Sequence, residues 1–233
     1  MKILAIETSS ERGSIALQLD GEPIEQRTEG AQTHSGWVLP AISSLLAQAA
    51  VKLSELDVIA FGAGPGAFTG LRLACGVAQG LAFAAERPVV GVGSLEALAF
   101  AAGPGLKLVA TDARMNELYF AAYAVRAEGV ECLLQPSCQP PQMALESLRD
   151  FLRDHPGQWA GAGNGFAAYG GLLGAALAAS LAGIDAECHP TASAVARLAA
   201  QRTAEPAAMA APIYVRQKVA LTTAERLMNG GRA

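Results

Sequence analysis

Three turns, two of them glycine-rich, hold the residue types best suited to grip a phosphate or an adenosine. Gly62, Gly64 and Gly66 around Pro65, in GAGPGAFTGLRLACG, fit a tight turn at a strand end. Thr69 and the amides near Phe68 then open a helix, where free N–H groups can receive an anion. The run has no G-K-[ST] ending and no G-x-G-x-x-G spacing, so phosphate cradle, structural turn and interface element all stay open. In the first turn, Glu7 to Gly13, the hydroxyls of Thr8, Ser9 and Ser10 could donate to phosphate. Glu7 could hold Mg²⁺ through water, although no lysine accompanies it. Asn164 and Gly165, in AGAGNG, form the third candidate turn.

The remaining catalytic equipment is sparse. His34, His155 and His189 are far apart, and neither H-x-x-x-H nor H-E-x-x-H occurs. Cys75, Cys132, Cys138 and Cys188 lack C-x-x-C or zinc-type spacing, so no metal site is expected. No G-x-S-x-G elbow is present. Asp112 and Arg114 follow a strand and could form an internal ion pair at a lobe junction.

The helix after the Gly62 turn points toward an interface. Gly70, Ala74, Ala78 and Ala82 recur every four residues, and Gly76, Gly80 and Ala84 form a second small-residue stripe. One stripe can face the protein's own core and the other can meet a second subunit, or both can be internal. Arg72 is close to the helix start, against the dipole, which suits a surface position or an intersubunit ion pair. Phe68 and Leu71 would supply the apolar centre of such a contact.

These residues need elements to position them. KILAIETS at Lys2–Ser9 reads as a strand, and Asp20-Gly21 reads as the turn between strands Ser14–Leu19 and Glu22–Thr28. A helix capped by Ser35 runs to Ala50 with Pro40 in its second turn. Strand Asp57–Gly62, helix Phe68–Ala85, strand Pro88–Val92 and a helix capped by Ser94 complete the first half. The second half partly repeats the order: strands Leu106–Thr111, Glu117–Val125 and a weak Cys132–Leu134, then helix Pro141–Phe151, strand Gln158–Ala162 and helix Phe166–Ala179. Helices Ala192–Gln201 and Ala220–Met228 end the chain. Two βββαβα halves joined near Ala102–Gly105 suggest a duplicated fold, with a single doubly wound sheet as the competitor.

With 233 residues the chain can form one large domain or two small lobes. Its net charge of −4, from 17 basic and 21 acidic residues, speaks against a free-standing nucleic-acid binder. The 49 Ala and 25 Gly favour thin helices in close contact. No run of eighteen apolar residues or signal peptide is apparent, so a reduced, cytoplasmic location away from membranes is expected.

ILAIETS, GPGAFTGLRLACGVAQGLA, PVVGVGSLEALA, TDARMNELYFAAY, AGAGNG and API-Y-VR occur in order along nearly the whole chain. Together they resemble the bacterial TsaB (YeaZ) family, partner subunits in making N6-threonylcarbamoyladenosine at position 37 of tRNAs reading codons that start with A. The resemblance implies an α/β, duplicated actin-like (ASKHA, ribonuclease H-like) fold of two lobes. The lobes would be residues 1–104, for dimerisation and partner binding, and 105–233, with helix 191–202 packing back on the first lobe.

It also implies a non-catalytic role supporting the catalytic subunit, TsaD, a metal-dependent paralogue. Where that paralogue has its H-x-x-x-H ligands, this chain has Ser94 and Leu98. ATP and a metal ion would be used by partner subunits, TsaD and a TsaE-type P-loop ATPase, with no cofactor of its own. tRNA would be met only through the complex. A homodimer is implied as well. The shared surface would comprise His34, Ser35 and Leu39 on the first helix, and Phe68, Thr69, Gly70, Leu71, Arg72, Cys75, Gly76, Gln79 and Gly80 on the second. Glu7 stands where the family usually has Asp, and Met115-Asn116 lacks a common glycine, so Asn116 could take the left-handed position. A small-molecule kinase or a carbamoyl or acyl transferase of the same fold is the alternative.

Overall fold

A computed structural model describes residues 1–28, 33–127 and 129–216. The helix expected at Ala220–Met228 lies outside them.

The first half opens with strands β1 (Ile3–Glu7), β2 (Ser14–Gln18) and β3 (Ile24–Arg27), paired antiparallel in sequence. The Asp20-Gly21 pair lies in the second turn, with Gly21 at φ +112°. Helix α1 (His34–Gln48) begins one residue before Ser35, with Thr33 at the cap position. Val38, Ala41, Ile42 and Leu45 form its buried stripe. Strand β4 (Val58–Gly64), helix α2 (Phe68–Ala85), strand β5 (Val89–Gly93) and helix α3 (Ser94–Ala101) follow. Ser94 is inside α3, and Gly93 occupies the cap position.

The second half has strands β6 (Gly105–Arg114), β7 (Glu117–Arg126) and β8 (Gly129–Gln139), helix α4 (Pro141–Asp154) and strand β9 (Trp159–Ala162). The single helix expected at Phe166–Ala179 is two short pieces, α5 (Gly165–Ala168) and α6 (Leu173–Leu177). Gly170 and Gly171 separate them, and paired glycines add backbone entropy that two helical turns do not offset. Strand β10 (Leu181–Asp185) and helix α7 (Ala192–Ala199) complete the described elements.

Two sheets form instead of one. Their orders, β3-β2-β1-β4-β5 and β10-β9-β6-β7-β8, are the same topology when the second half is numbered from β6. In each, three antiparallel strands are extended by two parallel ones across helical crossovers. Pro136 is accommodated in β8 because that strand lies at a sheet edge.

The two halves exchange helices. Leu95, Leu98 and Ala99 of α3 pack with Val109, Tyr119, Ala121 and Tyr123 of the second sheet. Ala192, Val195, Ala196 and Leu198 of α7 pack with Ile3, Ala5 and Ala16 of the first. After α7 the chain stays on the first half: Glu205 pairs with Val89, and Gln79 donates to the Ala207 carbonyl at 3.0 Å. A cleft remains between the halves on the side where β1, β4 and β6 end.

Candidate functional site

Two features compete for a functional role: the cleft and the outer face of α2. The cleft has a volume of about 360 Å³. Ser9, Ser10 and Asn164 line it, whereas Glu7, Gly13 and Gly165 do not. Gly13 and Gly165 serve packing. A Cβ at Gly13 would lie 2.7 Å from His34 Nδ1, and one at Gly165 would lie 2.6 Å from Leu118 Cδ1.

Glu7 is fully buried beneath the cleft floor. The Ser9 amide donates to Oε1 at 2.6 Å and the Ser94 hydroxyl donates to Oε2 at 3.0 Å. The Gly64 amide in turn donates to Ser94 Oγ at 3.2 Å. Burial pushes the Glu7 carboxyl above the usual range, and the bonds from Ser9 and Ser94 only partly oppose it.

The arginines around the cleft are already engaged. Arg12 pairs with Glu187, Arg114 pairs with Asp112 at 3.1 Å and Glu11 at 3.6 Å, and Arg216 pairs with Glu117 at 2.6 Å. The Asp112–Arg114 pair forms, but within β6 and not after it, and it is not internal: the Arg114 side chain is largely exposed. A magnesium–nucleotide fits this arrangement poorly: the acid is sealed and hydrogen-bonded, and among the described residues no lysine lines the cavity. Among the described residues no cluster of three His, Cys, Asp or Glu side chains could hold a metal ion.

The histidines remain separate. His34 starts α1 with Nε2 2.8 Å from the Ser10 carbonyl. His155 ends α4, stacked on Phe151 with ring centroids 4.2 Å apart. His189 lies at the cleft edge, its Nδ1 near the Glu187 carbonyl. Ser94 and Leu98 offer no metal site either, since Ser94 serves Glu7 and Leu98 is buried between the halves.

Helix α2 divides its small residues between two environments. Gly70, Ala74, Ala78 and Ala82 are buried. At Gly70 the approach is so close that a Cβ would lie 1.8 Å from the Thr8 carbonyl oxygen, and Thr8 Oγ1 donates to the Gly70 carbonyl at 2.7 Å. Gly76 and Gly80 are exposed, and a Cβ on either meets nothing within 4 Å. The second stripe is therefore external.

Around it stand Thr69, Arg72, Phe83 and Ala84, all exposed, with Ser35 and Leu39 exposed on neighbouring α1. Gly70, Leu71 and Cys75 do not belong to this surface: they lie on the inner side of α2, and Leu71 is in the core. Gln79 is half-buried and occupied by Ala207. Phe83, 58% exposed, joins the face although the sequence reading omitted it; its position seven residues after Gly76 was the available signal. By length and composition α2 could span a bilayer, but one of its sides is committed to the core.

This geometry coincides with a clear relationship. The chain is 33% identical to the tRNA threonylcarbamoyladenosine biosynthesis protein TsaB of Escherichia coli, over 94% of its own length and 96% of that protein's. It belongs to the TsaB family. The Haemophilus influenzae TsaB is 43% identical over 124 residues, about half of either chain. A family profile described as TsaD, tRNA N6-adenosine threonylcarbamoyltransferase, matches residues 27–228. Two solved structures from Pseudomonas aeruginosa share the fold. One is described as an uncharacterized protein with similarity to peptidase YEAZ and has a TM-score of 0.79, with 34% identity covering 92% of this chain and 99% of that one. The other is YeaZ, with a TM-score of 0.75, 33% identity and coverage of 91% and 99%.

Proposed function

We propose that this chain is the non-catalytic partner subunit in N6-threonylcarbamoylation of tRNA adenosine. The observation that carries the reading is the relationship to Escherichia coli TsaB along nearly the full length of both chains. The exposed small-residue face of α2 would dock the catalytic paralogue, TsaD. Glycines there let a facing helix approach closely, and Phe83 and Leu39 supply apolar contact beside them. The same face would close a homodimer when the paralogue is absent.

The enzyme's metal step would belong to the paralogue. Ser94 and Leu98 stand where the paralogue carries ligands, and a buried leucine cannot coordinate a metal. ATP turnover would belong to a TsaE-type P-loop subunit, since this chain has no Walker A loop. A net charge of −4 favours contact with tRNA through the complex. The repeated topology supports reading the fold as actin-like (ASKHA), with lobes meeting near Gly105 and helix 191–202 packing back on the first. A cytoplasmic site of action follows from that role.

The test is reconstitution. The catalytic subunit, the ATPase subunit, a supply of threonylcarbamoyl-adenylate and substrate tRNA are combined with and without this chain. Modified adenosine should form only when the chain is present. Equal product without it would overturn the assignment.

A further inference from the structure

We propose that residues 211–216 are a strap linking the two lobes, through which the setting of the cleft reaches the exposed end of α2. One end is fixed to the first lobe. The Ile213 amide donates to the Ala63 carbonyl at 2.7 Å. Gly64, at φ +114°, permits that approach, because a Cβ there would lie 2.7 Å from the Ile213 carbonyl oxygen.

The other end grips the second lobe. The Arg216 guanidinium donates to the carbonyls of Ala113 and Arg114, at 2.7 and 3.3 Å, and pairs with Glu117 at 2.6 Å. These three residues belong to the β6–β7 hairpin. That hairpin also reaches back to the first lobe through Arg114 and Glu11.

Between the ends, Tyr214 touches α2. Its hydroxyl accepts from Arg72 Nε at 3.1 Å, and its ring lies 5.8 Å from that of Phe68. Arg72 lies over the same Phe68 ring at 3.8 Å. Val215 packs into the cluster between the halves.

The physical point is length. Three residues from Ile213 to Arg216 span at most about 10 Å, so the segment has little slack to absorb a change in lobe spacing. The exchanged helices α3 and α7 pin the lobes on one side, while the strap and the ion pairs of Arg12 and Arg114 cross the cleft. Movement of the β6–β7 hairpin must pull on Tyr214, and Tyr214 holds Phe68 and Arg72. The strap thus gives a partner seated on α2 a mechanical connection to the second lobe, which it need not touch. This consequence rests on the docking reading, whereas the linkage itself does not.

Hydrogen exchange on the isolated full chain tests the linkage. Arg216→Ala should speed exchange at least fivefold at residues 113–117 and also at the start of α2, residues 71–73, with far-UV circular dichroism unchanged. Tyr214→Ala should speed the α2 amides alone. If Arg216→Ala fails to fold, Glu117→Gln removes the ion pair from the opposite side while leaving the two carbonyl bonds, and should give a smaller effect with the same two-ended pattern. Faster exchange confined to 113–117, or none at either place, would overturn the proposal. Titration with the catalytic paralogue then separates the two readings. Weaker binding by Arg216→Ala is expected. Absence of binding by the unaltered chain would sink the docking reading and leave the exchange result to decide the strap.

Discussion

The carboxylate of Glu7 fills the space that a side chain at Gly62 would need: a Cβ on Gly62 would lie 1.9 Å from Glu7 Oε2. Gly62 is therefore a glycine for steric reasons, in a strand buried along its whole length. Neighbouring strands β1 and β4 hold the two residues together, so neither can move aside cheaply. Gly62→Ala should cost about 2 kcal/mol or more, as overpacking does elsewhere in cores. Combining it with Glu7→Ala, which vacates the space, should recover part of the loss. Urea denaturation of the single and double variants measures this, and strict additivity would contradict the contact.

Burial raises the Glu7 carboxyl above its ordinary value, and that sets the sign of a pH effect. Between the ordinary carboxylate range and the raised folded value, the folded chain binds the proton more strongly than the unfolded chain. The contribution of Glu7 to stability is thus fully present below the ordinary range and is lost as pH rises through the folded value. Glu7→Gln removes the titration while keeping an acceptor for the Ser9 amide. The stability of Glu7→Gln relative to the unaltered chain should therefore be greatest at neutral pH and shrink toward pH 5. Denaturant midpoints across that interval check it; a constant difference would mean that Glu7 does not titrate there.

Two glycines of α2 should respond oppositely to a side chain. Gly70→Ala drives a methyl into the Thr8 carbonyl and should destabilise the fold by more than about 3 kcal/mol. Gly76→Leu points into open space, and replacing an exposed helical glycine should leave monomer stability unchanged or raise it by up to about 1 kcal/mol. Gly76→Leu should instead block docking on the α2 face. Sedimentation alone and with the catalytic paralogue reads the association, and thermal melting reads the fold. Lost secondary structure in Gly76→Leu, with association intact, would reverse the assignment of the two stripes.

Much of this was legible before any coordinates. Helix α2 has the bounds its sequence suggests, Phe68 to Ala85, because glycine and proline precede a run in which small and apolar residues recur every three or four positions. The Asp20-Gly21 hairpin was legible for the same local reason. What escaped depends on distant partners. Strand β8 is much longer than Cys132–Leu134, since ladder bonds to β7 extend it through residues with little strand character. Strand β10, mostly exposed, carries no period-2 signal and exists because β9 pairs with it. The sealing of Glu7 depends on Ser94, 87 residues later, and a turn of hydroxyls and acids gives no hint that its first acid faces inward. Helical periodicity separated the stripes of α2, but only packing decided which one is inside.

The β6–β7 hairpin offers a last test, because Arg114, Met115 and Asn116 all adopt φ between 55° and 59°. The sequence led us to expect a left-handed residue at Asn116, and two neighbours share it. Asparagine tolerates that region, but a methionine there costs on the order of 1 kcal/mol through its Cβ. Met115 is 69% exposed, so little packing offsets the strain. Met115→Gly removes the Cβ and should raise stability, by less than about 1 kcal/mol once the freer unfolded chain is counted. Asn116→Gly should gain less, and Asn116→Val should lose, since a β-branched side chain is least compatible with that region. A set of melting temperatures in the order Met115→Gly, Asn116→Gly, unaltered chain, Asn116→Val would support the strained turn. A loss on Met115→Gly would show instead that the exposed thioether, 3.6 Å from the Arg216 guanidinium, contributes to holding the end of the chain.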